Sequence, residues 1–410
     1  MNKAEYLQEL ASLLSDIDDE DRDDALEYFR EYFEDAGEEN EESVIQELGS
    51  PAELAEKIRK DSKTQKPPGK SESQQEYRSI RIAASGVKVV LQASDRFAVE
   101  YQLSDRIRIN RIETVDSTLY VDCQLIQKCG GLQQERVTVY YPGNAEFETV
   151  EAKVKLGSFS VSGIKTEKLD VQNELGNTSA DRISAKALYI QNKTGSLRLG
   201  GVRGDTAVLL SAAGNLELED FSFTGNLQAS SSCGRVRLAR GRAKNIEVKS
   251  EMGDAAGNHL EAEGLCSVRS SLGRILLDGM ICREFFAEAD KGNVSVSHLT
   301  AEKMTGSSNL GNLVGEQLKT GCLTAKANCG FVRLAGELKG KNEIKASMGN
   351  ITVYTSIPRE QCSCHMTSKM GSCSVNGVRS NGVSFRGAET VYELSASMGN
   401  VSLNFTGGEQ

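Results

Sequence analysis

A glycine returns every nineteen or twenty residues from Gly157 to Gly349, through Gly176, Gly195, Gly214, Gly234, Gly253, Gly273, Gly292, Gly311 and Gly330. Looser echoes follow at Gly371 and Gly399. Of the ten intervals up to Gly349, eight are 19 and two are 20. A fixed period of this size belongs to stacked repeats. Two and four residues after the glycine stand apolar pairs such as Leu197/Leu199, Leu216/Leu218, Val236/Leu238 and Ile351/Val353. Alternation with period two puts both side chains on one side of a short strand. A second alternating pair precedes the glycine by seven and five residues, as in Leu169/Val171, Leu188/Ile190, Ile246/Val248 and Tyr392/Leu394. The residue just before the glycine is usually apolar, and the one three before it is small in every turn from Ser211 to Ala396.

Each unit therefore supplies at least two strands, a small-residue corner and a glycine free to adopt φ > 0. No unit buries its apolar face alone, whereas stacked units share one column. The pattern predicts a mostly β chain, a parallel β-helix (solenoid) of about 19-residue coils. Twelve coils at about 4.8 Å each would span roughly 58 Å. The 3.6 periodicity of a helical repeat is missing from this region.

Ahead of the repeats the character changes. Residues 1–61 carry 21 acidic and 6 basic side chains, net −15, while the remainder is net +5. Such a split marks modules with different surfaces and excludes direct nucleic-acid binding by the acidic one. Leu7, Leu10, Leu14 and Ile17 form a helical stripe, as do Leu26, Phe29 and Phe33. Residues 41–48 read as a third helix with Gly49 beyond its end, and Ser50-Pro51-Ala52-Glu53 reads as a capping box opening a fourth. A small acidic helical bundle over 1–61 is expected, then a polar, flexible linker over 62–76. Residues 77–150 lack the glycine beat but alternate like strands, so they are expected to cap the solenoid of 151–410, which carries its own C-terminal cap. No signal peptide and no apolar run long enough for a membrane span is present, so a cytoplasmic protein is expected. Ten cysteines without a Cys-x-x-Cys pair suit a reducing compartment. Cys233, Cys266, Cys329, Cys364 and Cys373 are expected to point inward.

Two resemblances rest on specific residues. Tyr28-Phe29-x-x-Tyr32-Phe33-x-x-Ala36-Gly37, with Leu48-Gly49-Ser50-Pro51, resembles the HAAS-type helical signalling domain of Gram-positive bacteria. That resemblance implies a protein-interaction module and a PadR-type transcription regulator as partner. The glycine repeat, with the lead-in Val137-Thr138-Val139-Tyr140-Tyr141-Pro142, is similar to the bacterial putative-adhesin solenoid family over about 77–405. Relatives often carry a membrane helix between the two parts, where this chain has only its linker.

Candidate sites are few. On the head, Tyr28 and Tyr32 with Glu27, Glu31, Glu34 and Asp35 form the expected partner face. On the solenoid, Arg198, Glu217 and Arg237 occupy one outward column, and Arg235, Arg240 and Arg242 add positive charge, an expected surface for an anion or for the acidic head. Cys362, Cys364 and Met366 share inward parity, with Cys373 nearby, while His365 faces outward, which favours core packing over metal binding. Asn177, Asn215, Asn293, Asn312, Asn350 and Asn400 follow their glycines and are expected to join neighbouring coils at the corner. The outward acids Glu174, Glu251 and Asp290 share a register without occupying adjacent turns. No catalytic constellation and no cofactor site is read, and the three histidines are far apart in sequence. The expected function is a non-catalytic regulatory or scaffold protein: the head binds a protein partner, and the solenoid presents an extended binding or self-association surface. The rival is a surface-associated adhesin or polysaccharide-binding protein.

Overall fold

Leu216 stacks directly between Leu197 of the coil before it and Val236 of the coil after it, all three fully buried. The computed structural model, which describes residues 2–16, 22, 25–26, 29–30, 32–33, 41–62, 69–71, 76–126, 135–387 and 389–406, repeats this arrangement through about eleven turns of a parallel β-solenoid with a spacing near nineteen residues. One turn shows the cross-section. After Gly273 the inward residues are Ile275 and Leu277, then Met280 and Cys282, then Phe285, Ala287 and Ala289. Three short faces thus contribute to one column. A fully buried leucine or valine contributes about 1.5–3 kcal/mol, so the column carries most of the stability.

The glycine corner explains the period. An added Cβ on Gly253 would lie 2.3 Å from the carbonyl oxygen of Gly234, and the same collision recurs from coil to coil. Backbone stacks on backbone here with no room for a side chain. Two polar ladders hold the corner. Inside, the Ser250 hydroxyl donates to the carbonyls of Gly234 (3.3 Å) and Gly253 (2.9 Å), and Ser211, Ser231, Ser270 and Ser308 do the same work in their coils. The small residue three before the glycine is therefore a buried hydrogen-bond donor in these turns. Outside, Asn215 Oδ1 accepts from Arg235 N, Asn293 from Asn312 N, Asn312 from Phe331 N and Asn350 from Asn400 N, at 2.8–3.0 Å. The asparagines join coils as expected, but through side chain to backbone. Ser250→Ala should cost about 1 kcal/mol, because the one hydroxyl proton shared by the Gly234 and Gly253 carbonyls is lost, Gly253 keeps Ser270 as a donor, and other coils tolerate alanine at this place. A lower urea midpoint with an unchanged slope would show it.

The two ends are built alike and out of chain order. Strand Ser79–Ala84 pairs in parallel with Thr118–Leu125 on one side and Glu146–Leu156 on the other. The lead-in segment is thus a penultimate layer, and strands Thr118–Leu125 and Arg136–Pro142 lie in the outermost one. At the far end Thr390–Met398 lies between Lys341–Met348 and Cys362–Met370, so the last strands again fill the penultimate place. Each outermost layer is then covered by antiparallel strands. Ile107–Val115 pairs with Thr118–Leu125 and Ala98–Gln102 with Arg136–Pro142. At the other end Val383–Phe385 pairs with Cys362–Met370 and Val378–Ser380 with Cys373–Val375. Covered edges remove the open ladder that would otherwise recruit another chain. Strand Gly69–Ser71, within the stretch expected as linker, pairs antiparallel with Ala98–Gln102.

The head has its own core of Tyr6, Leu10, Leu14, Phe29, Phe33, Val44, Leu54, Ala55 and Ile58. Its helices include Lys3–Leu13, Glu41–Leu48 and Pro51–Ser62. The expected capping box forms: Glu53 N donates to Ser50 Oγ (3.3 Å) and Ser50 N to Glu53 Oε2 (3.2 Å). Gly49 takes φ 79° just past the third helix. A further capping box, Asn2 with Glu5, opens the first helix. No described helix is long and apolar enough to cross a membrane.

Candidate functional site

The corner six residues beyond each glycine is the other place where the backbone turns sharply. Gly163, Gly201 and Gly279 take φ between 64° and 73° there, but Arg182, Asp220, Arg240, His259, His298 and Gln317 take φ of 50–53° at the same place. Non-glycine residues in the left-handed region cost about 1–2 kcal/mol each. The charged side chains held this way form a column along the solenoid. His259 and His298, distant in sequence, share it.

A cleft of about 340 Å³ opens beside this column, lined by Arg203, Phe221, Ser222, Arg240, Arg242 and His259 among others. Gly241 lines it as well. Gly241 stands where neighbouring coils place the inward Phe221 and Leu260, and the Phe221 ring occupies the space its side chain would need. The polar groups around it largely satisfy one another. Arg240 reaches Asp220 and Glu219, both at 2.8 Å. The guanidinium holds the Asp220 carboxyl below its ordinary value, chiefly by hydrogen bonding. Arg242 Nε donates to Ser222 Oγ (3.0 Å) and Arg203 donates to the carbonyl of Val202 (3.0 Å). Farther along, His298 Nδ1 lies 2.7 Å from Asp278 Oδ1, and this contact lowers the Asp278 carboxyl.

The arginines expected to act together therefore divide. Arg198, Glu217 and Arg237 are in lateral register, with Arg198 Nε 3.6 Å from Glu217 Oε2. Arg235 sits at the glycine corner, Arg240 at the left-handed corner, and Arg242 on the face beyond it. Arg198 and Arg240 face carboxylates, whereas Arg235 and Arg237 have no ion-pair partner among the described residues. Of the outward acids, Glu174 pairs with Lys193 (3.1 Å) and Glu251 with Lys249 (2.9 Å). Tyr32 is half-buried against the head core. Tyr28, Glu27, Glu31, Glu34 and Asp35 lie outside the described residues.

Cys362, Cys364 and Cys373 are buried and His365 is exposed, matching the packing expectation. Burial pushes the Cys364 thiol up to about 12 and Cys362 up to about 11. Among the described residues no cluster of three or more metal-ligating side chains forms. Two inward expectations fail: Cys233 is exposed and Cys329 half-exposed, because each immediately precedes a corner glycine where the chain turns away from the core.

Residues 5–57 match the family model described as HAAS, and residues 77–256 match that described as Toastrack DUF4097. The chain joins a HAAS domain to a Toastrack domain. No curated protein matches it. Solved structures to which the chain shows similarity include a putative lipid binding protein from Parabacteroides distasonis, 18% identical, covering 65% of this chain and 96% of that one, with a TM-score of 0.31. A putative adhesin from Bacteroides fragilis is 13% identical, covering 83% and 97%, with a TM-score of 0.22. A putative cell adhesion protein from Clostridium sporogenes is 10% identical, covering 83% and 100%, with a TM-score of 0.16.

The sequence reading missed two features of the solenoid. The left-handed column carries no compositional signal, since Arg, Asp, His, Gln and Gly all fill it. The apolar residue before each glycine was visible, but its direction was not. Leu175, Met252, Leu272, Leu310, Met348, Met370 and Met398 all occupy that place, and all are exposed.

Proposed function

We propose that this chain is a non-catalytic scaffold whose HAAS head captures a protein partner while the Toastrack solenoid presents a long, rigid surface. The separateness of the two cores carries the reading. The head buries Tyr6, Phe29 and Phe33 in its own cluster, and the solenoid column runs from Tyr77 to Leu403 without drawing on them. Each part thus has a complete interior and a surface left for others. The two family matches support binding or scaffolding in general terms. The finer assignment, to a PadR-type regulator held by the acidic face around Tyr28 and Tyr32, follows from the resemblance of the head.

The test is affinity capture from native cells with the whole chain and with a Tyr28→Ala/Tyr32→Ala variant. A PadR-type regulator recovered by the first and lost by the second is the expected result. Identical recovery by both baits would remove that face as the contact. Fractionation of the same cells separates this reading, in which the chain acts in the cytoplasm, from an adhesin on the surface.

A further inference from the structure

The exposed residue before each corner glycine forms a ridge. Strand pairing sets Leu310, Cys329, Met348, Met398 and Met370 side by side in five successive layers. Leu310 is 48% exposed, Met348 46%, Met398 43% and Met370 70%. Phe331, just across the corner, adds another exposed ring. At about 4.8 Å per layer, the strip is roughly 19 Å long. Nothing in the column's packing requires these side chains, and contiguous apolar surface of this kind marks a contact site. Methionine suits it, being adaptable.

What flanks the strip points to its occupant. One residue outward stand Asn309, Asn328, Ser347 and Ser397, and across the corner stand Asn312, Asn350 and Asn400. Between the two ends of the strip these borders carry no charge to attract anionic headgroups or nucleic acid, and charge depletion is the mark of a protein interface core. The same border ends in Asp290, one layer before Leu310, and in Lys369, beside Met370. Neither has an ion-pair partner among the described residues.

We propose that this strip binds a second copy of the chain, antiparallel, about a two-fold axis between the layers of Cys329 and Met348. Three observations meet in that arrangement. A ridge with a 4.8 Å repeat is matched without drift by another such ridge, whereas a helix repeats at about 5.4 Å. The two-fold places Cys329 against the partner's Met348 and Leu310 against the partner's Met398. It also keeps like borders together, so Asp290 meets the partner's Lys369 twice over, a closed isologous contact. Covered solenoid ends leave lateral association as the way for the chain to self-assemble. The inference rests on the solenoid being a presented surface, but it is independent of what the head binds. A strip this short lies at the small end of specific interfaces, so micromolar association is expected.

Sedimentation equilibrium of the full chain over roughly 1–200 μM reads the outcome. A monomer–dimer equilibrium is expected, weakened at least about tenfold by Met348→Asp with circular dichroism unchanged. Asp290→Lys should also weaken it, and Asp290→Lys combined with Lys369→Asp should restore it. A wild-type monomer throughout, a dimer indifferent to Met348→Asp, or a double swap that fails to restore association would each overturn the proposal. So would a monomer that floats with phosphatidylcholine vesicles through Met348, which would assign the strip to lipid. Loss of the dimer leaves partner capture by the head untouched, and failed capture leaves the dimer untouched, so the two readings fail separately.

Discussion

Leu216→Asp is expected to lower the melting temperature by at least about 10 °C or to split the transition in two. Leu216 is fully buried between Leu197 and Val236. Removing the buried side chain alone costs about 2–5 kcal/mol. A carboxylate in an apolar column adds several more, since the nearby buried hydroxyls of Ser211 and Ser231 already donate to the Gly214 carbonyl. Domains are stable by only about 5–15 kcal/mol. In a stack the loss is felt first by the coils that touch the substitution, which is why a split transition is an equally telling result. The control is Glu217→Gln on the same strand. Its side chain is outward and paired with Arg198 at 3.6 Å in solvent, so a change under about 1 kcal/mol is expected. Thermal melts followed by far-ultraviolet circular dichroism make the comparison. Equal melting of both variants would end the account of a shared apolar column.

The column was legible because its cause is local. Each coil carries the same alternating pairs at fixed distances from the glycine, and any one coil shows which side chains face in. The stacking order at the ends was not legible for the opposite reason. Ile80 and Ile82 read as strand residues, but nothing in them says that their neighbours are Leu119 and Val121 on one side and Val150 and Ala152 on the other. Which layer lies outermost depends on pairing across tens of residues and on hairpins closing over it.

The corner explains the misplaced cysteines and the unnoticed ridge together. Strict alternation would put residues seven, five, three and one before the glycine all inside. The first three are inside, as Leu169, Val171 and Asn173 show. The fourth turns out, as Leu175 shows, because the chain bends there and two consecutive side chains face solvent. Period-two reasoning holds within a strand and fails at an arc. On the head, the aromatic stripe of Phe29 and Phe33 was readable from spacing and is buried. The contact face around Tyr28 was inferred from resemblance and charge.

The glycine corner yields the second large effect. Gly253→Ala is expected to cost roughly 3 kcal/mol or more. Gly253 has φ 143°, and its new Cβ would fall 2.3 Å from the oxygen and 2.6 Å from the carbon of the Gly234 carbonyl. Both are backbone atoms, fixed by the bonds Gly234 N to Met252 O and Gly253 N to Leu272 O, each 2.8 Å. They cannot yield without separating two coils. Gly377→Ala isolates the other contribution. Gly377 also has positive φ, 81°, but an added Cβ there meets nothing within 4 Å. That variant should lose only the conformational part, about 1–2 kcal/mol. Urea unfolding of the two side by side decides between the causes. A markedly larger loss at Gly253 is expected from collision between stacked backbones, and equal losses would mean that left-handed geometry alone fixes the period of this chain.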